Sequence, residues 1–104
     1  MFKQLSQEEA RDAIANKNII IADVRDEDSF NESHIDSARH LTMAMVQDFC
    51  DREDKSQPIL VYCYHGISSQ SVAQHLVDQG FSEVFSLAGG FEGWKTYQTS
   101  AKDD

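Results

Sequence analysis

The sequence predicts an α/β domain, a mainly parallel central sheet of about five strands with helices on both faces. Two runs, Ile19-Ile20-Ile21-Ala22-Asp23-Val24 and Ile59-Leu60-Val61-Tyr62, are rich in aliphatic residues and do not alternate with polar ones. Strands covered on both faces have this pattern. Segments with helical apolar spacing separate such runs, as helical crossovers between parallel strands require. The 104 residues, 40% hydrophobic and 26% charged, suit a single core of ordinary size.

Ser6 and Glu9 have capping-box spacing, and Ala10, Ala13 and Ile14 share one face behind them, so a first helix starts here. Asn18 leads into the first strand, Ile19 to Val24. Asp26 to Ser33 is polar around one large anchor, Phe30, and reads as a loop with a short helical turn. A short strand is expected near Ala38-Arg39-His40-Leu41. Thr42 caps a second helix with Met43, Val46, Phe49 and Cys50 facing inward, followed by the charged stretch Asp51 to Lys55. Pro58 opens the strand Ile59 to Tyr62. A helix from about Ser68 to Gln79 buries Val72, Leu76 and Val77 and stops at Gly80. Ser82 to Leu87 is a further strand, Gly89-Gly90 breaks it, and Phe91 to Tyr97 forms a last amphipathic helix. With no repeat or linker dividing the chain, residues 1–98 read as one domain and 99–104 as a frayed tail.

Eighteen acidic residues against nine Lys and Arg give a formal charge of −9. Duplex nucleic-acid binders show the opposite balance, because phosphate neutralisation supplies most of their affinity. No nucleic-acid partner is therefore expected, and the acidity reads as a self-repelling surface. No apolar stretch approaches the roughly 20 residues of a membrane-spanning helix. Met1-Phe2-Lys3-Gln4 runs into polar sequence without a signal core. A cytoplasmic domain without a membrane partner is expected. In that setting a structural disulfide between Cys50 and Cys63 is uncommon.

The segment Cys63-Tyr64-His65-Gly66-Ile67-Ser68-Ser69 joins the strand from Ile59 to the helix from Ser68. In a parallel sheet, loops at the carboxyl ends of strands carry the chemistry. Here the amides from Tyr64 to Ser69 can curl around the Cys63 sulfur as an anion nest. The helix N-terminus adds roughly half a positive charge. Both favour a nucleophilic thiolate. By itself, a cysteine ending an apolar strand is more often packing. Loop length, Gly66, the hydroxyls of Ser68 and Ser69 and the following helix favour chemistry, although Ser68 would serve equally as an ordinary helix cap. Protein phosphatases use a similar loop with an Arg that clamps phosphate in two-pronged fashion. Ser69 stands at that position, and no Lys or Arg occurs from Ser56 to Trp94. A soft nucleophile accepting one sulfur atom fits better.

Cys63-Tyr64-His65-Gly66 with Ser68 and Ser69 resembles the loop of single-domain rhodaneses, the GlpE-type thiosulfate sulfurtransferases. Asp23-Val24-Arg25 with Phe30, His34-Ile35 and Ala38 resembles their N-terminal signature, and Gly89-Gly90-Phe91-Glu92-Gly93-Trp94 their C-terminal one. The resemblance runs from about Leu5 to Tyr97. One departure is Ile67, where loops of this type carry Asn.

The resemblance implies a rhodanese-like fold and sulfur transfer through a Cys63 persulfide. The sulfur would pass from thiosulfate to cyanide, a small thiol or dithiol, or a thioredoxin-like dithiol protein, with release of sulfite and without metal or organic cofactor. Tyr64, His65, Gly66, Ile67, Ser68 and Ser69 would line the donor. Arg25 is the candidate for the missing cation, against a scaffold ion pair with Glu32 or Asp23. His65 either assists an anion as a partly protonated imidazole or orients the loop, and Tyr64 shapes the pocket. His34, His40, His65 and His75 lack the close spacing of metal ligands. Cys50 reads as buried filler, and Phe91 and Trp94 as anchors of the last helix. The alternative reading is a non-catalytic rhodanese-like binding or sulfur-carrier module.

Overall fold

A computed structural model describes residues 1–16 and 18–102, the side chains of 98–102 excepted. Its elements in chain order are β1 (Lys3–Leu5), α1 (Gln7–Asn16), β2 (Ile20–Asp23), α2 (Glu27–Glu32) and β3 (Arg39–His40). They continue with α3 (Met43–Arg52), β4 (Ile59–Tyr62), α4 (Ser68–Asp78), β5 (Val84–Leu87) and α5 (Gly90–Lys102). The five strands form one sheet in the order β1-β5-β4-β2-β3, every neighbouring pair parallel. The expected α/β architecture is present.

All four residues of β2 and of β4 are buried, which explains their lack of alternation. Their side chains still alternate between two cores. Ile20, Ala22, Ile59 and Val61 pack with Val46 and Cys50 of α3 and with Val72, Ala73 and Leu76 of α4. Ile21, Leu60 and Tyr62 pack on the other face with Ala10 of α1, Ile35, and Phe91 and Trp94 of α5. The capping box of α1 forms: the Ser6 amide donates to Glu9 Oε1 (2.9 Å) and the Glu9 amide to Ser6 Oγ (3.1 Å).

Several expectations are corrected. β1 is a strand that the apolar pattern does not reveal, because only Leu5 of Lys3-Gln4-Leu5 is buried; its identity comes from pairing with β5. Met43 is 76% exposed rather than inward, since the first turn of α3 borders a surface groove instead of the sheet. Thr42 occupies the N-cap of α3 without a side-chain cap bond. α5 continues past Tyr97 to Lys102; of the tail expected from Thr99, residues 103 and 104 lie outside the described residues. Among the described residues, no helix is long and apolar enough to cross a membrane.

Candidate active site

Cys63 follows the last residue of β4, at the carboxyl edge of the sheet and near its centre. It is 3% exposed. The amides of Gly66 and Ser69 both donate to Cys63 Sγ at 3.2 Å. Burial by itself pushes a thiol's pKa up. Here the Ser69 side chain and the amides of Ser69, Gly66 and His65 outweigh it, and Cys63 lies below its ordinary value. Cys50, on α3, lacks such donors, and burial raises it. Both cysteines are free.

The turn geometry follows from the sequence. Gly66 has φ +86°, and a Cβ there would stand 2.8 Å from the Gly89 nitrogen and 2.9 Å from the Leu87 oxygen. No other residue fits without moving backbone. α4 starts with Ile67 at its N-cap and no side-chain cap bond. The Ser69 amide, one of the orphan donors of its first turn, binds the sulfur instead. Ser68 is therefore the first helical residue and not the cap. Gln70 Nε2 donates to the Gly66 oxygen (2.8 Å) and ties the loop to the helix.

A second clamp comes from Gly89-Gly90, which the sequence marks as a strand breaker and as the start of the C-terminal motif. The Phe91 amide donates to the Cys63 oxygen (2.8 Å) and the Glu92 amide to the Tyr64 oxygen (3.0 Å). Gly90, at φ +59°, permits this approach: a Cβ there would stand 2.5 Å from Tyr64 backbone and 2.6 Å from the Cys63 oxygen. Gln7 Nε2 reaches from the start of α1 to the Ala88 oxygen (2.7 Å) and the Gly90 oxygen (3.2 Å), holding the turn from below. No local pattern singles out Gln7, since its partners lie more than eighty residues away.

The structure gives Arg25 the scaffold pairing with Asp23 and not with Glu32. Its Nη2 lies 2.7 Å from Asp23 Oδ2, its Nε bonds both carboxylate oxygens at 3.1 Å, and Nη2 also donates to the Ser33 oxygen. Its guanidinium carbon sits 4.2 Å from the centre of the Phe91 ring, and the residue is 6% exposed. Desolvation opposes the charge, but the bond to Asp23 and the charge of Asp23 prevail and raise the Arg25 pKa. Nε and Nη2 are thus committed internally, which favours the scaffold role of Arg25 over donor binding.

Of the other loop residues, Tyr64, His65, Ile67 and Ser68 are exposed, Ile67 at 75%. The Tyr64 hydroxyl bonds Asp26 and Ser29 of the α2 cap, holding Asp26 down to about 2. A groove of about 640 Å³ opens beside Ser68 between α3 and α4, walled by Val24, Met43, Val46 and Val72 with His75 at its edge. His34 and His40 both stack on Phe30, with ring centroids 4.1 and 4.9 Å from its own. Among the described residues no three His, Cys, Asp or Glu side chains converge as a metal site would require.

The family model for the rhodanese-like domain matches residues 6–97. The chain is 57% identical over 101 residues to the thiosulfate sulfurtransferase GlpE of Coxiella burnetii, covering 97% of this chain and 94% of that protein. It is 47% identical over 104 residues to the protein of the same name from Stutzerimonas stutzeri, covering 99% and 94%. Among solved structures, the rhodanese-like domain of an Anabaena protein superposes with a TM-score of 0.83 at 26% identity, over 93% of this chain and 76% of that one.

Proposed function

This chain belongs to the rhodanese-like domain family, and from that premise we propose that it is a thiosulfate sulfurtransferase with Cys63 as the sulfur-accepting nucleophile. The observation that carries the reading is the pair of amides, from Gly66 and Ser69, aimed at one buried sulfur. Donors so placed stabilise whichever anion occupies the site, and being part of the backbone they need no reorganisation as charge moves.

In the first half-reaction the Cys63 thiolate attacks the outer sulfur of thiosulfate. A bond forms between the two sulfurs, the bond within thiosulfate breaks, and its electron pair leaves with sulfite. Cys63 then carries a persulfide whose terminal negative charge lies within reach of the same amides. In the second half-reaction cyanide, a thiol or a dithiol attacks the terminal sulfur and returns the Cys63 thiolate. No electrons are gained or lost overall, and the chain's own groups suffice for both steps. Gly66 and Ser69 supply amides. Tyr64, His65, Ile67 and Ser68 form the exposed rim over which donor and acceptor pass. Arg25 fixes the neighbouring corner through Asp23 and is a positioning residue.

Intact-mass measurement after incubation with thiosulfate tests this. The expected outcome is one added sulfur, removed by cyanide, in the natural protein and none in Cys63→Ser. Equal behaviour of the two proteins overturns the enzyme reading in favour of a binding module.

A further inference from the structure

Ser86 is the one polar residue in an otherwise apolar strand, β5, and it is fully buried. Its register partner on β4 is Val61, two positions before Cys63. A hydroxyl so placed is costly unless bonded, and its partner is Ser69, also fully buried, at an Oγ–Oγ distance of 2.8 Å. Ser69 is the residue whose amide lies 3.2 Å from Cys63 Sγ. Ser86 therefore stands directly behind one of the two amide donors, on β5 instead of α4 and seventeen residues away in sequence.

A serine hydroxyl has one proton and two lone pairs. If Ser69 donated to Ser86, its proton would be unavailable to the sulfur. If Ser86 donates, the Ser69 proton is left for the anion, and the chain from Ser86 through Ser69 to sulfur is polarised in one sense. The negative charge on sulfur selects the second arrangement. We propose that Ser86 is a positioning residue for the sulfur-transfer site, its buried hydroxyl holding Ser69 so that amide and hydroxyl both face the Cys63 sulfur. The proposal rests on the reading of Cys63 as the nucleophile, and its test reads the thiol directly instead of sulfur transfer.

The measurement is the alkylation rate of Cys63 by iodoacetamide against pH, located by peptide mass mapping so that Cys50 does not contribute. Ser86→Ala deletes one oxygen from the core and adds nothing. The charged and titratable groups packed around the loop are Tyr64 and His65 within it, Asp23 at the end of β2 with Arg25 and Asp26 after it, Tyr62 on β4 and Glu92 on α5. The variants leave all of them unchanged. Loss of the hydrogen bond that holds and polarises Ser69 raises the midpoint of the Ser86→Ala profile by about 0.5–1 pH unit. In the Ser69→Ala background the same change adds nothing, because Ser86 acts through Ser69. A Ser86→Ala profile that overlays the natural one, or shifts that add in the double variant, overturns the proposal. Failure of thiosulfate to add sulfur to the natural protein, with these shifts intact, would instead remove the sulfur-transfer reading and leave the positioning role standing.

Discussion

Two neighbouring strand ends handle negative charge in opposite ways. At the end of β2 the Asp23 carboxylate, fully buried, is met by a full cation, Arg25, in a multidentate pair. At the end of β4, whose Tyr62 is the register partner of Asp23, the Cys63 sulfur is met by neutral donors, the Gly66 and Ser69 amides with the Ser69 side chain. A fixed guanidinium suits a charge that never changes. On the proposed mechanism the reacting sulfur passes from thiolate through a charge-separating step to persulfide, and a cation bound permanently to one of these states would oppose leaving it. On that proposal the cation serves the scaffold while dipoles serve the chemistry, so that the two regions should fail differently when altered.

The largest expected effect lies at the β2 corner. Asp23→Ala leaves Arg25 buried without its partner, a loss of about 3–5 kcal/mol, much of the 5–15 kcal/mol that stabilises a typical domain. Arg25→Lys keeps the charge but not the planar fork, with a loss of about 1.5–3 kcal/mol. Urea denaturation should register both losses in that order. The kcat/KM of folded Arg25→Lys should stay within about threefold of the natural protein, a change worth less than 1 kcal/mol. A turnover loss exceeding the stability loss would break the comparison, because the guanidinium would then act on the donor.

Next in size is the response to salt. With a net charge of −9 and a loop free of Lys and Arg, the field around Cys63 repels a dianion such as thiosulfate. Raising ionic strength from about 0.01 to 0.15 M shortens the screening length from roughly 30 to 8 Å. The KM for thiosulfate should therefore fall by about two- to fivefold, the reverse of what a cation-lined site gives. Steady-state kinetics at the two salt concentrations reads the sign. A KM that rises with salt would mean that an attractive charge reaches the donor.

Which of these features the sequence discloses depends on how local their causes are. Burial on both faces leaves its mark on Ile59 to Tyr62 residue by residue, and the Ser6–Glu9 box closes within a single turn. The Cys63 loop is legible for the same reason: strand, glycine turn and helix start lie within seven residues. Gln7, Gly90 and Ser86 carry no such mark. Each does its work against a segment that only the folded sheet brings near: Gln7 under the Gly89-Gly90 turn, Gly90 against Tyr64, Ser86 behind Ser69. Met43 misleads for a related reason. Helical spacing aligns it with Val46 and Cys50, yet the periodicity of a helix does not say where the sheet beneath it ends.

The smallest expected effect separates the rim of the site from both strand ends. The Tyr64 hydroxyl donates to Asp26, and together with Ser29 it holds that carboxyl near 2, below its ordinary 3.8. A depressed carboxyl stabilises the fold above its unfolded pKa, and that contribution is lost as pH falls from 3.8 through about 2. Tyr64→Phe removes the larger of the lowering contacts and leaves those from Ser29. The Asp26 midpoint, followed by carbon-detected NMR of its carboxyl, should therefore move up toward the ordinary value without reaching it. At neutral pH Asp26 is ionised in both proteins, so the salt response of the thiosulfate KM should be the same in the variant. A KM that changes its salt response on losing this hydroxyl would place Tyr64 in contact with the donor, and the rim would then belong with the cradle instead of with the scaffold.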